Sequence, residues 1–475
     1  MYMLKYETRS GCEEFLQEIH KASNSGNIDF FHMVQAYKAI RNWFSEKDYN
    51  DNNKLLATLL AKSSEERSVK VIWYDLSDEC LNNDYAIDVF SRINIGKIPL
   101  TNAELIKALF LQRSHFHNDQ AILKQLQIAT EWDIIEKRLQ EPAFWYFISN
   151  SNKHYPTRIE YIFDLMKGKK AGDEAFFTFH KFHEDFKSGS ANIDQLWQGV
   201  KRYFLSFDEW FQDRELYHFI GFLVDCGEKV ADLKAESERE NSTKTEFKKY
   251  LQDRIRLQVR CQLDELYYDE PVIKKLLLLF NIHTLLSTRE ADTRFPFDRY
   301  KQEKWDIEHI RSQTDSVPVG AARREWLSDI EVYFSGSRFK VDSLKREQEF
   351  AALATELLSQ EHIDAKFDKL YNDVVSYFGQ DKVSWVDELG NLALLDSSTN
   401  RSYKNALFPI KRARIIDNDK RGVFIPICTK NVFLKYYSQS VTELIHWSES
   451  DAKYYQEAIF QALKDYLPEQ GKNNE

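Results

Sequence analysis

Apolar positions recur at three- and four-residue spacing along most of this chain, and that period predicts helices. Thr101-Asn102-Ala103-Glu104 reads as a capping box, and Leu105, Ile106, Ala108, Leu109 and Phe110 then fall on one helical face. From about residue 116 to 290, groups such as Phe144-Trp145-Tyr146-Phe147, Tyr161-Ile162-Phe163 and Phe219–Leu223 alternate with charged stretches, predicting helix after helix. Residues 232–248 are almost wholly polar and predict an exposed turn or a mobile helix end. Strand-like patterning is confined to short runs. Leu4–Arg9 and Val69–Tyr74 have it near the start, and Ser10–Glu13 reads as a second capping box. Asp88–Leu100 holds a Gly and a Pro that bracket a turn between helices.

The pattern changes near residue 294. Arg294-Phe295-Pro296-Phe297 is a break, and Trp305–Ile310 predicts a strand. Helices follow to about 380, then the Gly-bounded apolar run Leu389–Leu395, a polar turn, and Asn400 leading into a basic helix. The fold class is therefore mainly α, with three parts at 1–115, 116–290 and 291–475 and a helical insertion at 314–383. Glycine and proline, 15 and 9 in 475 residues, make about 5% of the chain against roughly 12% in average usage. That scarcity of breakers agrees with helix.

Composition narrows the function classes. The five cysteines are scattered without a CxxC pair, which argues against a disulfide framework or a cysteine zinc site and fits a reducing compartment. The N-terminal residues lack the apolar stretch of a signal peptide. The longest apolar run, Leu276–Phe280, is too short to span a bilayer. A cytoplasmic protein without membrane contact is expected. A net charge of −10 gives no global attraction for nucleic acid, so any DNA contact must be local. Between Asn400 and Arg421 stand seven basic residues and two acids, as either a solvated helix face or a phosphate-binding one.

Strand, turn, strand and helix, with a His on the first strand and an Asn at the helix entry, is the layout of a ββα-metal (HNH-like) nuclease core. Phosphodiester cleavage needs a water deprotonated near neutral pH, and His titrates closest to that range. It also needs charge stabilisation on the phosphate, which a divalent cation supplies. Magnesium takes oxygen ligands, and a carboxylate plus an amide carbonyl provide them. On this reading His309 is the base, Glu308 and Asn400 hold Mg²⁺ or another divalent ion, and Asn391 binds loop backbone to hold the imidazole. Each residue alone is a weak signal. His309 and Asn391 lie 82 positions apart, so the inserted helical segment is required.

Three segments strengthen the reading together: Trp305–Gln313, Leu389–Leu395 and Asn400–Arg412. They resemble, in order, the blocks of the C-terminal nuclease domain of GmrSD-type restriction endonucleases, a His-Me/HNH group, and similarity continues through Phe424–Lys435. Ser312 stands where the commonest form of the first block has Pro. The resemblance leaves Asn405 as a rival to Asn400 for the metal, and it implies Lys404, Lys411 and Arg412 as DNA contacts. Phe90–Lys107 is similar to the block closing the same family's ParB-like nucleotide-hydrolysing domain. The Asp-Gly-Gln-Gln-Arg signature expected before it is absent, so residues 1–115 read as a short α/β remnant. Nucleotide would be used only if a partner protein supplied that motif. The expected function is metal-dependent endonuclease action on DNA, including modified phage DNA, in a modification-dependent restriction system. The alternatives are a partner-licensed, non-catalytic DNA-binding sensor subunit and an RNA-cleaving toxin.

Overall fold

The computed structural model describes residues 12–21, 28–61, 68–70, 100–112, 121–150, 154–188, 192–261, 266–288, 292–312, 317–335, 345–378, 383–397, 399, 406–439 and 446–468. Two sequence expectations, the strand at Leu4–Arg9 and the turn within Asp88–Pro99, lie outside these residues, as do most of Val69–Tyr74 and Ser10 of its capping box. The described chain is mainly helical, and no described helix is long and apolar enough to cross a membrane. It divides into two compact units, residues 1–144 with 151–207, and residues 145–150 with 208–475.

The first unit contains α1 (Cys12–Gln17), α2 (Ile28–Ser45), α3 (Tyr49–Leu60), α4 (Asn102–Leu111), α5 (Ala121–Leu139), the start of α6 (Pro142–Ile148), α7 (Ile159–Lys167), α8 (Phe177–Ser188) and most of α9 (Ile193–Gln212). Helix α4 opens on the capping box read from the sequence. The Thr101 side chain accepts from the Glu104 backbone N–H, and the Glu104 carboxylate accepts from the Thr101 backbone. Its apolar face meets an aromatic core in which Phe110 packs edge-on against Phe182 and Trp197, and Trp132 stacks on Trp197. Buried Glu136 accepts from the backbone N–H groups of Arg158 and Ile159 at 2.9 and 2.7 Å, satisfying donors that open α7.

The second unit continues with α10 (Arg214–Asp225), α11 (Val230–Ser237), α12 (Lys244–Gln258), α13 (Pro271–Ser287) and α14 (Phe297–Gln302). The polar stretch 232–248 is thus divided between two helices, with only 238–243 between them. Thr243 closes a second capping box with Glu246 and starts α12 there. Strand β1 (Trp305–His309) follows, then α15 (Ala321–Ser335), α16 (Lys345–Leu358) and α17 (Asp364–Tyr377). Strand β2 (Leu392–Asp396) pairs antiparallel with β1, His309 opposite Leu392 and Glu308 opposite Ala393. Three more helices complete it: α18 (Phe408–Lys420), α19 (Ile427–Phe433) and α20 (Glu449–Leu463).

The two strands differ in exposure. Every residue of β2 is buried, because α13 and α19 both pack on it, whereas in β1 only Trp305 and Glu308 are buried and Asp306 is exposed. A two-stranded sheet is marginal by itself, so this cover is what stabilises it. The N-terminus of α18 is set by Pro409 in its first turn, a position where the missing N–H costs nothing.

Buried His218 joins α10 to the segment before α14. Its Nδ1 donates to the Arg214 carbonyl at 2.6 Å and its Nε2 accepts from the Phe295 N–H at 2.9 Å. Both contacts require the neutral ring, and burial pushes its pKa down to about 4 from an ordinary 6.5. A depressed histidine pKa gives stability that is present above the unfolded value and lost as pH falls toward the folded one. The stability advantage of the wild type over His218→Gln should therefore shrink by roughly 3 kcal/mol between pH 6.5 and 4. Denaturant titrations of both proteins across that range measure it, and a constant difference would remove the assignment.

Candidate functional site

Of the residues singled out in the sequence, Glu308, His309, Asn391 and Lys411 meet around the end of β1. Successive strand residues leave on opposite faces. Glu308 turns under the sheet toward α18, where its carboxylate pairs with the Lys411 ammonium. His309 turns to the other side. There its ring stacks on Tyr268, with centroids 4.4 Å apart, and its Nε2 meets Asp387 Oδ1 at 2.9 Å.

Asn391 is fully buried and ties the turn after β1 to the start of β2. Its Nδ2 donates to the carbonyls of Arg311 (2.9 Å) and Val386 (2.7 Å). Its Oδ1 accepts from the Arg311 N–H at 2.8 Å, and its own carbonyl accepts from Ile310 at 2.8 Å. The chain beyond is held as well. Ser312 donates to the Ala406 carbonyl at 2.5 Å, and the Arg311 guanidinium lies 5.5 Å from the Trp385 ring centroid.

Gly390 has a packing reason. A Cβ there would run into the backbone of Ala452 on α20, meeting its carbonyl oxygen first and its carbonyl carbon at 2.9 Å. The short helical turn Leu389–Asn391 packs against α20 because of that closeness.

Tyr268 and Asp387 were not singled out by sequence. They arrive through a short pairing in which Tyr267 bridges Glu388, the Tyr268 N–H donates to the Asp387 carbonyl at 2.9 Å, and the Leu389 N–H donates to the Leu266 carbonyl at 3.2 Å. Asp387 lies four positions before Asn391, a local signal that was available. Tyr268 lies 41 positions before His309 and had none.

Electrostatics favour a neutral imidazole. Burial pushes the His309 pKa below its ordinary value and the nearby Lys411 charge adds to that, against the opposing hydrogen bond that its Nε2 donates to Asp387. Lys411 itself is 1% exposed, and burial lowers its pKa against the pull of Glu308. Burial likewise raises the Tyr268 hydroxyl.

The expected metal and DNA ligands are placed unevenly. Asn400, its rival Asn405, and Lys404 lie outside the described residues. Lys411 was expected to meet phosphate. It is inside the protein instead, with Nζ also donating to the His309 carbonyl at 2.6 Å, so reaching a phosphate would require abandoning Glu308. Half-buried Arg412 donates through Nε to the Phe433 carbonyl at 3.0 Å. Glu308 was expected to hold a cation, and the cation it holds is an ammonium. Among the described residues, no group of three or more His, Cys, Asp and Glu side chains is assembled as a metal-ligand set. The described partner of Glu308 is thus an ammonium, and Asn400, the other expected metal ligand, lies outside the described residues.

Residues 338–461 match the family model described as GmrSD restriction endonucleases, C-terminal domain. That span includes Asp387, Asn391, Lys411 and Arg412, while Tyr268, Glu308 and His309 lie before it. No curated protein and no solved structure matches the chain.

Two substitutions test the tether. Asn391→Asp loses both donors and sets an acceptor against two carbonyls, so it should cost about 2–4 kcal/mol of unfolding free energy. Gly390→Ala should cost about 1–3 kcal/mol by overpacking against α20. Denaturant unfolding measures both, and wild-type stability in either variant would refute the corresponding contact.

Proposed function

We propose that the chain is an endonuclease that hydrolyses the phosphodiester backbone of DNA as part of a modification-dependent restriction system acting against phage. The observation that carries the reading is the match of residues 338–461 to a restriction-endonuclease domain, taken with the Asn391 tether inside that span, which holds the turn beside His309. A two-stranded antiparallel sheet followed by α18 agrees with a ββα nuclease core.

In this reading His309 is the general base. It is kept neutral by burial, as a base must be to accept a proton near neutral pH. Its ring is fixed on three sides: stacking by Tyr268, the Nε2 contact to Asp387, and a backbone clamped between Lys411 and Asn391. A carboxylate on one ring nitrogen sets the tautomer and leaves Nδ1 as the lone pair available to a water. Asp387 then stabilises the imidazolium that forms when the water loses its proton. Magnesium, expected from the sequence, is not given a seat by Glu308 as it stands, so no step is assigned to it. Lys404 and Arg412 are proposed to meet the DNA backbone, where contacts position rather than specify.

Supercoiled plasmid and glucosylated-hydroxymethylcytosine phage DNA, each with an RNA control and with Mg²⁺ in the buffer, test the reading. The wild type should cut DNA. His309→Ala should cut it about 10²–10⁴-fold more slowly, with DNA binding retained. Absence of cleavage by the wild type on both DNAs, or equal rates in the two proteins, would overturn the proposal, and preference for RNA would redirect it.

A further inference from the structure

We propose that Glu308 and Lys411 form a closed internal charge clamp that positions His309, and that Glu308 is the counter-ion of this lysine in place of a catalytic metal ligand. Lys411 stands in the first turn of α18, among buried Phe408, Pro409, Ile410 and Ile415, and is almost wholly withdrawn from water. Glu308 opposite it is 7% exposed. Two ionic groups so deeply placed must satisfy each other, because either left alone would be an uncompensated buried charge. The ammonium also donates to the His309 carbonyl, at the last residue of β1. One lysine thus joins α18 to the side chain of one strand residue and the backbone of the next.

Two features favour a clamp over a metal seat. The carboxylate already has a cation. A divalent ion on the same group would lie a few ångströms from the ammonium and be repelled by it. The effect on His309 is positional. Its carbonyl is fixed by Lys411 and the following amides by Asn391, so the imidazole is aimed at Tyr268 and Asp387. Lys411 is therefore a positioning residue that touches no phosphate.

The clamp is tested on the full chain with Glu308→Gln, Glu308→Leu, Lys411→Met and the double variant Glu308→Leu/Lys411→Met. Each of the last two single substitutions should lower the unfolding midpoint and the double variant should regain most of the loss, since an apolar pair of similar volume replaces a buried ion pair. Additive losses would overturn the clamp. Mn²⁺ titration followed by electron paramagnetic resonance should give a Kd, where binding is detected, that differs less than about two-fold between wild type and Glu308→Gln. A tenfold or greater weakening would make Glu308 a ligand and overturn the proposal. The role at His309 rests on the nuclease reading. There the double variant should lose kcat at least about tenfold with KM for DNA unchanged, whereas a raised KM at unchanged kcat would make Lys411 a phosphate contact. A wild type that cuts no DNA counts against the nuclease reading alone, because the stability cycle and the Mn²⁺ titration read the clamp without turnover.

Discussion

The arrangement around His309 depends on one amide side chain. Asn391 closes a loop of 80 residues by bonding both the N–H and the carbonyl of Arg311, and no other residue type of its size offers two donors and an acceptor at one point. A two-stranded sheet whose strands are this distant in sequence has a high loop-closure cost and little pairing energy to offset it. Burial of β2 between α13 and α19 supplies the cohesion, and the tether sets where the turn after β1 lies.

A second constraint is charge inside the same small region. The chain carries a net charge of −10, yet its C-terminal part buries Lys411 against Glu308 and Lys435 against Asp451. Both pairs sit where a helix meets a loop or strand end. Buried ion pairs add little net stability compared with an apolar replacement, but they penalise every arrangement in which the partners separate. Around His309 that penalty falls on displacement of α18 from β1. The strand's alternation does the rest, since it sends Glu308 inward to that helix and His309 outward to Tyr268.

Much of this was legible along the chain. The capping box at Thr101, the strand at Trp305–His309 and the apolar run at Leu389–Leu395 are local patterns, and local patterns survive folding when tertiary contacts do not oppose them. The exposed turn or mobile helix end expected across 232–248 is largely helix instead, because Thr243 and Glu246 start a helix that polarity alone does not reveal. The tether from Asn391 to the turn after β1 was also readable, because the ββα layout gives its middle Asn the task of bonding loop backbone.

What the sequence determined by itself was the helical character, the two short strands and the residue types capable of the chemistry. Period, capping and side-chain functionality are properties of neighbours in the chain. Only the tertiary structure decided the partners. It put Lys411 inside, made Glu308 its counter-ion, and brought Tyr268 and Asp387 to His309 from 41 and 78 positions away. Whether a lysine faces solvent or a buried carboxylate depends on which surfaces pack against its helix, and that is settled by contacts between segments far apart in sequence.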